Sequence, residues 1–129
     1  MKSYKPNSYN AVSPYFVVDD AGKMIEFLQT VFDAKELRRY DQPDGRLIHG
    51  EFQVDDSVIM MGSSSDDYPP NQLLVHVYVA DADGTFNKAV DAGCKPIEQP
   101  KENEGDPDRR GMFMDYFGNT WAVSTQKQG

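Results

Sequence analysis

The chain carries an internal repeat. Phe16-Val17-Val18-Asp19-Asp20-Ala21-Gly22 resembles Val77-Tyr78-Val79-Ala80-Asp81-Ala82-Asp83; in each, apolar residues run into an Asp followed by Ala. Gly50-Glu51-Phe52 resembles Gly111-Met112-Phe113. Both matches fall 61 positions apart, in the same order, within a chain of 129 residues. One such match is noise, but two at a single offset point to a unit of about half the chain used twice. Whatever the first half folds into, the second is expected to repeat.

The period of the apolar residues says what the unit contains. Val12 to Val18 reads as a strand, and Asp20 as a helix N-cap whose carboxylate accepts from free amides of the first turn. Met24, Phe27, Leu28 and Val31 then form one apolar stripe at helical spacing. Glu36 to Tyr40, Leu47 to Val54 and Ser57 to Met61 follow as strands, joined by Gln42-Pro43-Asp44-Gly45 and by a two-residue Asp55-Asp56 turn. The second half repeats this plan. Leu73 to Val79 is a strand, Asp81 a second N-cap, and Phe86, Ala89 and Val90 a shorter stripe ended by Gly93. Lys95 to Glu98, Gly111 to Met114 and Thr120 to Ser124 supply three more strands. Ser63 to Asn71 reads as an exposed linker, and Lys101 to Arg110 as a polar loop. The expected organisation is a single domain over 1–129, with modules at 12–62 and 73–125 and a linker at 63–72.

Composition narrows the function classes. With 21 acidic against 13 basic residues the formal charge is −8, which disfavours nucleic acid and anionic membrane surfaces. No apolar run approaches the ~18 residues of a membrane helix. Met1 to Asn10 is polar, unlike a signal peptide, and the lone Cys94 fits a reducing compartment, so a cytoplasmic location is expected.

Tandem strand–helix–three-strand units resemble the vicinal oxygen chelate superfamily, which includes glyoxalase I, extradiol dioxygenases and bleomycin-resistance proteins. Pro14-Tyr15-Phe16-Val17-Val18-Asp19-Asp20, His49-Gly50-Glu51-Phe52 and Asp115-Tyr116-Phe117-Gly118-Asn119-Thr120-Trp121 look like its PhnB-like branch. The resemblance covers about residues 12–125. It implies an α+β fold, tandem βαβββ modules forming a cupped mixed β-sheet with helices on the outer face, and a ligand cavity on the inner face. It also implies a homodimer, since family members cover exposed sheet edges by pairing or swapping modules.

Strand alternation then sorts the residues by face. If Asp55 and Asp56 form the turn, Val54 pairs with Ser57 and Glu51 with Met60, so His49, Glu51, Gln53, Val58 and Met60 share the inner face. Phe52, Ile59 and Met61 point to the helix. Ser13, Tyr15, Leu74, His76, Tyr78, Thr120, Ala122 and Ser124 are assigned inward, and Trp121 to the core. Superfamily members that hold a metal place His, Glu or Gln at positions matching Ser13, Met60, Leu74 and Ala122. None of these four is a competent ligand, so no metal or other cofactor is expected at the usual place.

The inward polar set is His49, Glu51 and His76. Three readings stand: the polar lining of a wet cleft, a proton-transfer pair in which a carboxylate orients an imidazole, and a displaced divalent-metal site. Expected ligand contacts are Tyr15, His49, Glu51, Met60, His76, Tyr78 and Met112, with Arg109 or Arg110 at the edge and Lys101 to Arg110 closing the mouth. Cys94 is read as structural. Two functions follow. One is a protein that sequesters a small organic molecule without metal; the other is a lyase or isomerase with His49, Glu51 and His76 as catalytic residues.

Overall fold

The computed structural model describes residues 3–127, and these divide into two compact units with the boundary between Asn71 and Gln72. The first unit runs β1 (Tyr15–Val18), α1 (Ala21–Phe32), β2 (Lys35–Asp41), β3 (Leu47–Val54) and β4 (Ser57–Ser63). The second runs β5 (Leu74–Tyr78), α2 (Ala82–Asp91), β6 (Lys95–Glu102), β7 (Asp108–Met114) and β8 (Thr120–Gln126). Each unit has one four-stranded mixed sheet, ordered β1-β4-β3-β2 in the first and β5-β8-β7-β6 in the second. The strand–helix–three-strand plan is therefore present twice.

Local chemistry sets the boundaries. Asp20 caps α1 by accepting from the Lys23 amide, and Asp81 caps α2 by accepting from Gly84. Gly93 follows α2 at φ 103°. At the end of α1 a left-handed residue is again required, but Asp33 supplies it at φ 54°, its amide donating to Gln29. The apolar stripe of α1, Met24, Phe27, Leu28 and Val31, is buried, as are Phe16, Phe52, Ile59 and Met61 of the sheet. Each such side chain contributes about 1.5–3 kcal/mol of burial. In the second unit Phe86, Ala89, Phe113, Trp121 and Val123 are the buried counterparts.

Two expectations need correction. The first strand begins at Tyr15 and not Val12, because Pro14 has no N–H to continue the ladder and Val12 stands exposed. Lys101 to Arg110 is not a loop. Lys101 and Glu102 pair with Arg110 and Arg109, leaving only residues 103–107 outside β6 and β7. Charge-rich strands without apolar alternation carry no period to read. The 63–72 linker is exposed along its middle but tied at both ends, Ser64 and Asn71 donating their amides to Val18 and Val17. The Asn71 side chain adds two bonds at the outer edge of β1, accepting from the Val17 amide and donating to the Tyr15 carbonyl. Among the described residues no helix is long and apolar enough to cross a membrane.

Candidate functional site

The face of the first sheet away from α1 is built by register. Val54 pairs with Ser57 and Glu51 with Met60, so alternation brings His49, Glu51 and Met60 to one side. On the other flank of β3 a bulge intervenes, since Glu36 faces Phe52 but Arg38 faces Glu51, leaving Leu37 as the extra residue. The shift turns Arg38 and Tyr40 onto the face of Glu51 and His49; in an unbroken ladder they would lie on the helix side. A parallel row Tyr15–Met60–Glu51–Arg38 thus crosses all four strands.

Glu51 is the centre of this face and is buried, 6% exposed. The Tyr9 hydroxyl donates to its Oε1 at 2.5 Å, and His49 Nε2 meets its Oε2 at 2.8 Å. The Arg38 guanidinium stands 3.7 Å from Oε1. Burial acts to raise the Glu51 carboxyl, but hydrogen bonds from Tyr9 and His49, with the charges of His49 and Arg38, outweigh it and hold the pKa below the ordinary glutamate value. An ionised Glu51 only accepts, so the proton of a neutral His49 sits on Nε2 and Nδ1 accepts from the Tyr15 hydroxyl at 3.0 Å. Burial and the Glu51 charge raise the Tyr15 phenol, which keeps it a donor at neutral pH.

The His49 ring stacks with two tyrosines, at 5.6 Å and 29° to Tyr15 and at 6.3 Å and 26° to Tyr40. Both tyrosines remain accessible, 40% and 55% exposed. Gly62 makes this possible. A Cβ there would lie 2.8 Å from the Ile48 carbonyl and 3.0 Å from the Tyr15 hydroxyl, in the space the phenol crosses to reach His49.

The second unit has a different cluster on its corresponding face. Arg110 Nε donates to Ser124 Oγ at 3.1 Å, Nη1 pairs with Asp106 at 2.8 Å, and Nη2 lies 3.5 Å from Asp108. The Tyr78 hydroxyl donates to Asp108 at 2.8 Å, which raises its pKa. His76 Nε2 is 2.9 Å from Ser124 Oγ, and its ring meets Tyr78 edge-on at 4.7 Å. Met112 shares this face, opposite Ala122.

Of the expected site residues, the structure therefore joins Tyr15, His49, Glu51 and Met60 on one face of the first unit, and His76, Tyr78 and Met112 on one face of the second. Arg109 departs from the expectation of an edge contact to a ligand. Its alternation puts it with Gly111 and Phe113 on the helix side, where it makes two bonds to Asp83 of α2 and one to the Pro100 carbonyl. Tyr9, Arg38 and Tyr40 carry no sequence signal: the first lies ahead of the repeat, and the others reach the face through a bulge. Asp115, in the phrase that resembles the family, is a buried brace accepting from the Phe117 and Asn119 amides, the Asn119 side chain and Trp121 Nε1. Cys94 is buried, its thiol pushed up to about 11 by burial and the Asp115 charge, which fits a structural role.

A metal at the family's usual place finds no donor set here. The four positions that the resemblance matches to metal ligands are Ser13, Met60, Leu74 and Ala122, and none carries an imidazole or a carboxylate. Among the described residues no group of three or more His, Cys, Asp or Glu is arranged to hold an ion. His49 has both ring nitrogens engaged within the protein.

Residues 10–123 match the family model of the glyoxalase/bleomycin resistance protein/dioxygenase superfamily. An uncharacterised protein of Mycobacterium bovis is 35% identical over 127 residues, spanning 88% of this chain and 81% of its own length. Among solved structures, TnmS3, an antibiotic binding protein from Streptomyces sp. CB03234, superposes with TM-score 0.69 at 19% identity, over 92% of this chain and all (100%) of its own. The fosfomycin resistance protein FosX of Listeria monocytogenes, in complex with Mn(II) and sulfate, gives 0.70 at 13% identity, over 92% and 90% of the two chains. These structural likenesses carry the fold. With the family match spanning most of its length, the chain belongs to the glyoxalase/bleomycin resistance protein/dioxygenase superfamily.

Proposed function

We propose that the protein binds a small organic molecule on the open face of the first unit, without the metal that many superfamily members use. The observation that carries this reading is the accessible aromatic platform Tyr15–His49–Tyr40 beside the buried, ionised Glu51. Flat apolar area supplies affinity, and one fixed acceptor supplies orientation, the usual economy of a small-molecule site. Names among the structural relatives, an antibiotic binding protein and fosfomycin resistance proteins, agree with a small-molecule role. Glu51 in this setting favours neutral or cationic ligands over anions, as does the net charge of −8. On the second unit, taken by itself, His76, Tyr78 and Met112 are proposed as ligand contacts on their own shared face. The test is a panel of aromatic and aliphatic fragments followed by amide chemical-shift mapping. Binding that perturbs residues around His49 and is lost in Tyr40→Ala supports the reading. Absence of any fragment at this face ends it.

A second reading is favoured by the hydrogen-bonded series Tyr15–His49–Glu51, in which the carboxylate orients the imidazole and the imidazole holds the phenol. That arrangement suits a lyase or isomerase with Tyr15 as the outer proton donor and His49 behind it. Turnover lost in both Tyr15→Phe and His49→Ala would select it over simple binding. We also place the chain in the PhnB-like branch, on the phrases around Tyr15, His49 and Asp115, and expect a cytoplasmic homodimer. A monomeric mass in sedimentation across micromolar concentrations would remove the dimer.

A further inference from the structure

The segment ahead of β1 lies across the proposed binding face, and its contacts resemble those of a ligand. Tyr9 sends its hydroxyl to Glu51 Oε1 at 2.5 Å and places its ring under the Arg38 guanidinium, 5.4 Å from the ring centre. Asn10 accepts from the Val58 amide, and the Pro14 carbonyl from Met60, which ends the attachment at the start of β1. Tyr4 and Val12 on either side are 91% and 86% exposed, and Tyr9 itself is only half-buried. Ser8 takes a left-handed φ of 68° immediately before Tyr9, a conformation a non-glycine residue adopts at some cost. The superfamily match begins at residue 10, immediately after Tyr9.

We propose that residues 3–10 are a tethered occupant of this face, and that the ligand displacing them is a neutral phenol-class aromatic alcohol. This rests on the binding function proposed above and names the chemistry the site selects. An ionised, buried carboxylate rewards a hydroxyl donor, and a charge-assisted O–H···O⁻ bond is short and strong. The guanidinium above the ring rewards an electron-rich aromatic face. A phenolate or benzoate would bring a second negative charge against Glu51 and is rejected. An external phenol therefore meets the same two groups as Tyr9, and binds only in the fraction of molecules whose segment has lifted.

The probe is p-cresol (4-methylphenol), titrated by amide chemical shifts into the full-length wild type, Tyr9→Ala and Tyr9→Phe, with toluene and 4-methylbenzoate as controls. Removing a tethered competitor is expected to tighten p-cresol binding about tenfold or more in Tyr9→Ala. Tyr9→Phe keeps the ring but loses the hydroxyl, so it gives an intermediate gain and stands in for Tyr9→Ala if that variant is unfolded by circular dichroism. Toluene and 4-methylbenzoate are expected to bind at least tenfold more weakly than p-cresol to Tyr9→Ala, and Glu51→Gln in that background to remove the difference between p-cresol and toluene. Equal p-cresol affinity in wild type and both Tyr9 variants overturns the proposal. If fragments of another class still map to His49 in that case, the binding function survives and only the tethered-occupant idea falls. If no probe or fragment binds any of the three proteins, both fall together.

Discussion

The two units share a backbone plan and differ in what they mount on it. Register sets equivalent positions side by side: Glu51 opposite Met60 corresponds to Met112 opposite Ala122, and His49 beside Tyr40 corresponds to Arg110 beside Lys101. β2 and β6 are both irregular, with register shifts after Glu36 and after Tyr40 in one and after Pro96 and after Glu98 in the other. Yet the first unit gathers donors around a single carboxylate, whereas the second holds a single guanidinium between two carboxylates, Asp106 and Asp108. A duplicated frame keeps positions and faces, and the chemistry at those positions is free to change sign.

The turns of the last hairpin also differ. The first unit closes β3 and β4 with Asp55 and Asp56, Asp55 taking φ 51°. The second inserts one more residue and braces the turn with buried Asp115, which accepts four hydrogen bonds. Breaking this brace is the largest effect expected. Asp115→Ala removes the shared acceptor of Trp121 Nε1, the Asn119 side chain and two backbone amides, and should cost about 3 kcal/mol or more. Asp56→Ala, at the exposed turn of the other unit, should stay within about 0.5 kcal/mol in the same urea titration.

Glu51→Gln comes next. It removes the charge that Tyr9, His49 and Arg38 converge on, and should cost about 1.5–3 kcal/mol. Its pH signature separates it from simple misfit. Because the folded Glu51 pKa lies below the ordinary glutamate value, its contribution is complete at neutral pH. That contribution is lost as pH falls from about 4.3 down through the folded value. Urea midpoints of wild type and Glu51→Gln should therefore converge on acidification, while Met112→Leu, at the matching position, shows no such convergence.

Gly62→Ala is expected to cost about 1–3 kcal/mol and to part Tyr15 from His49, visible as a change in the His49 ring shifts. Its counterpart Ser124 already carries a side chain, and Ser124→Ala loses only hydroxyl bonds, about 1 kcal/mol. The smallest effect belongs to Arg109→Ala. Its ion pair with Asp83 is well exposed on both sides, so at most about 1 kcal/mol is at stake, with fragment binding at the first unit unchanged.

These contrasts also explain what the sequence makes legible. The two-residue Asp55-Asp56 turn fixes the pairing of Val54 with Ser57, and from that one register follow the common face of His49, Glu51 and Met60 and the burial of Phe52, Ile59 and Met61. Arg38 and Tyr40 are invisible to the same argument because the bulge at Leu37 interrupts alternation, and nothing in Lys35–Asp41 marks it. Tyr9 escapes because a polar segment outside the repeat has no period. Asp33 escapes because an Asp at the left-handed end of a helix lacks the signal that a glycine gives.

The side chain of Asn71 has a further consequence. By bonding the Val17 amide and the Tyr15 carbonyl, with its own amide on the Val17 carbonyl, one residue does what a neighbouring strand would do along the outer border of β1. That border is then closed to recruitment by another polypeptide, the first step of most β-mediated aggregation. The opposite border, β2, is kinked and bears Lys35, Glu36, Arg38 and Arg39, which discourage the same approach. During folding at high concentration the first unit is thus protected from intermolecular strand exchange once Asn71 has docked. Asn71→Ala should leave most of the native stability in place while shortening the time to turbidity on heating.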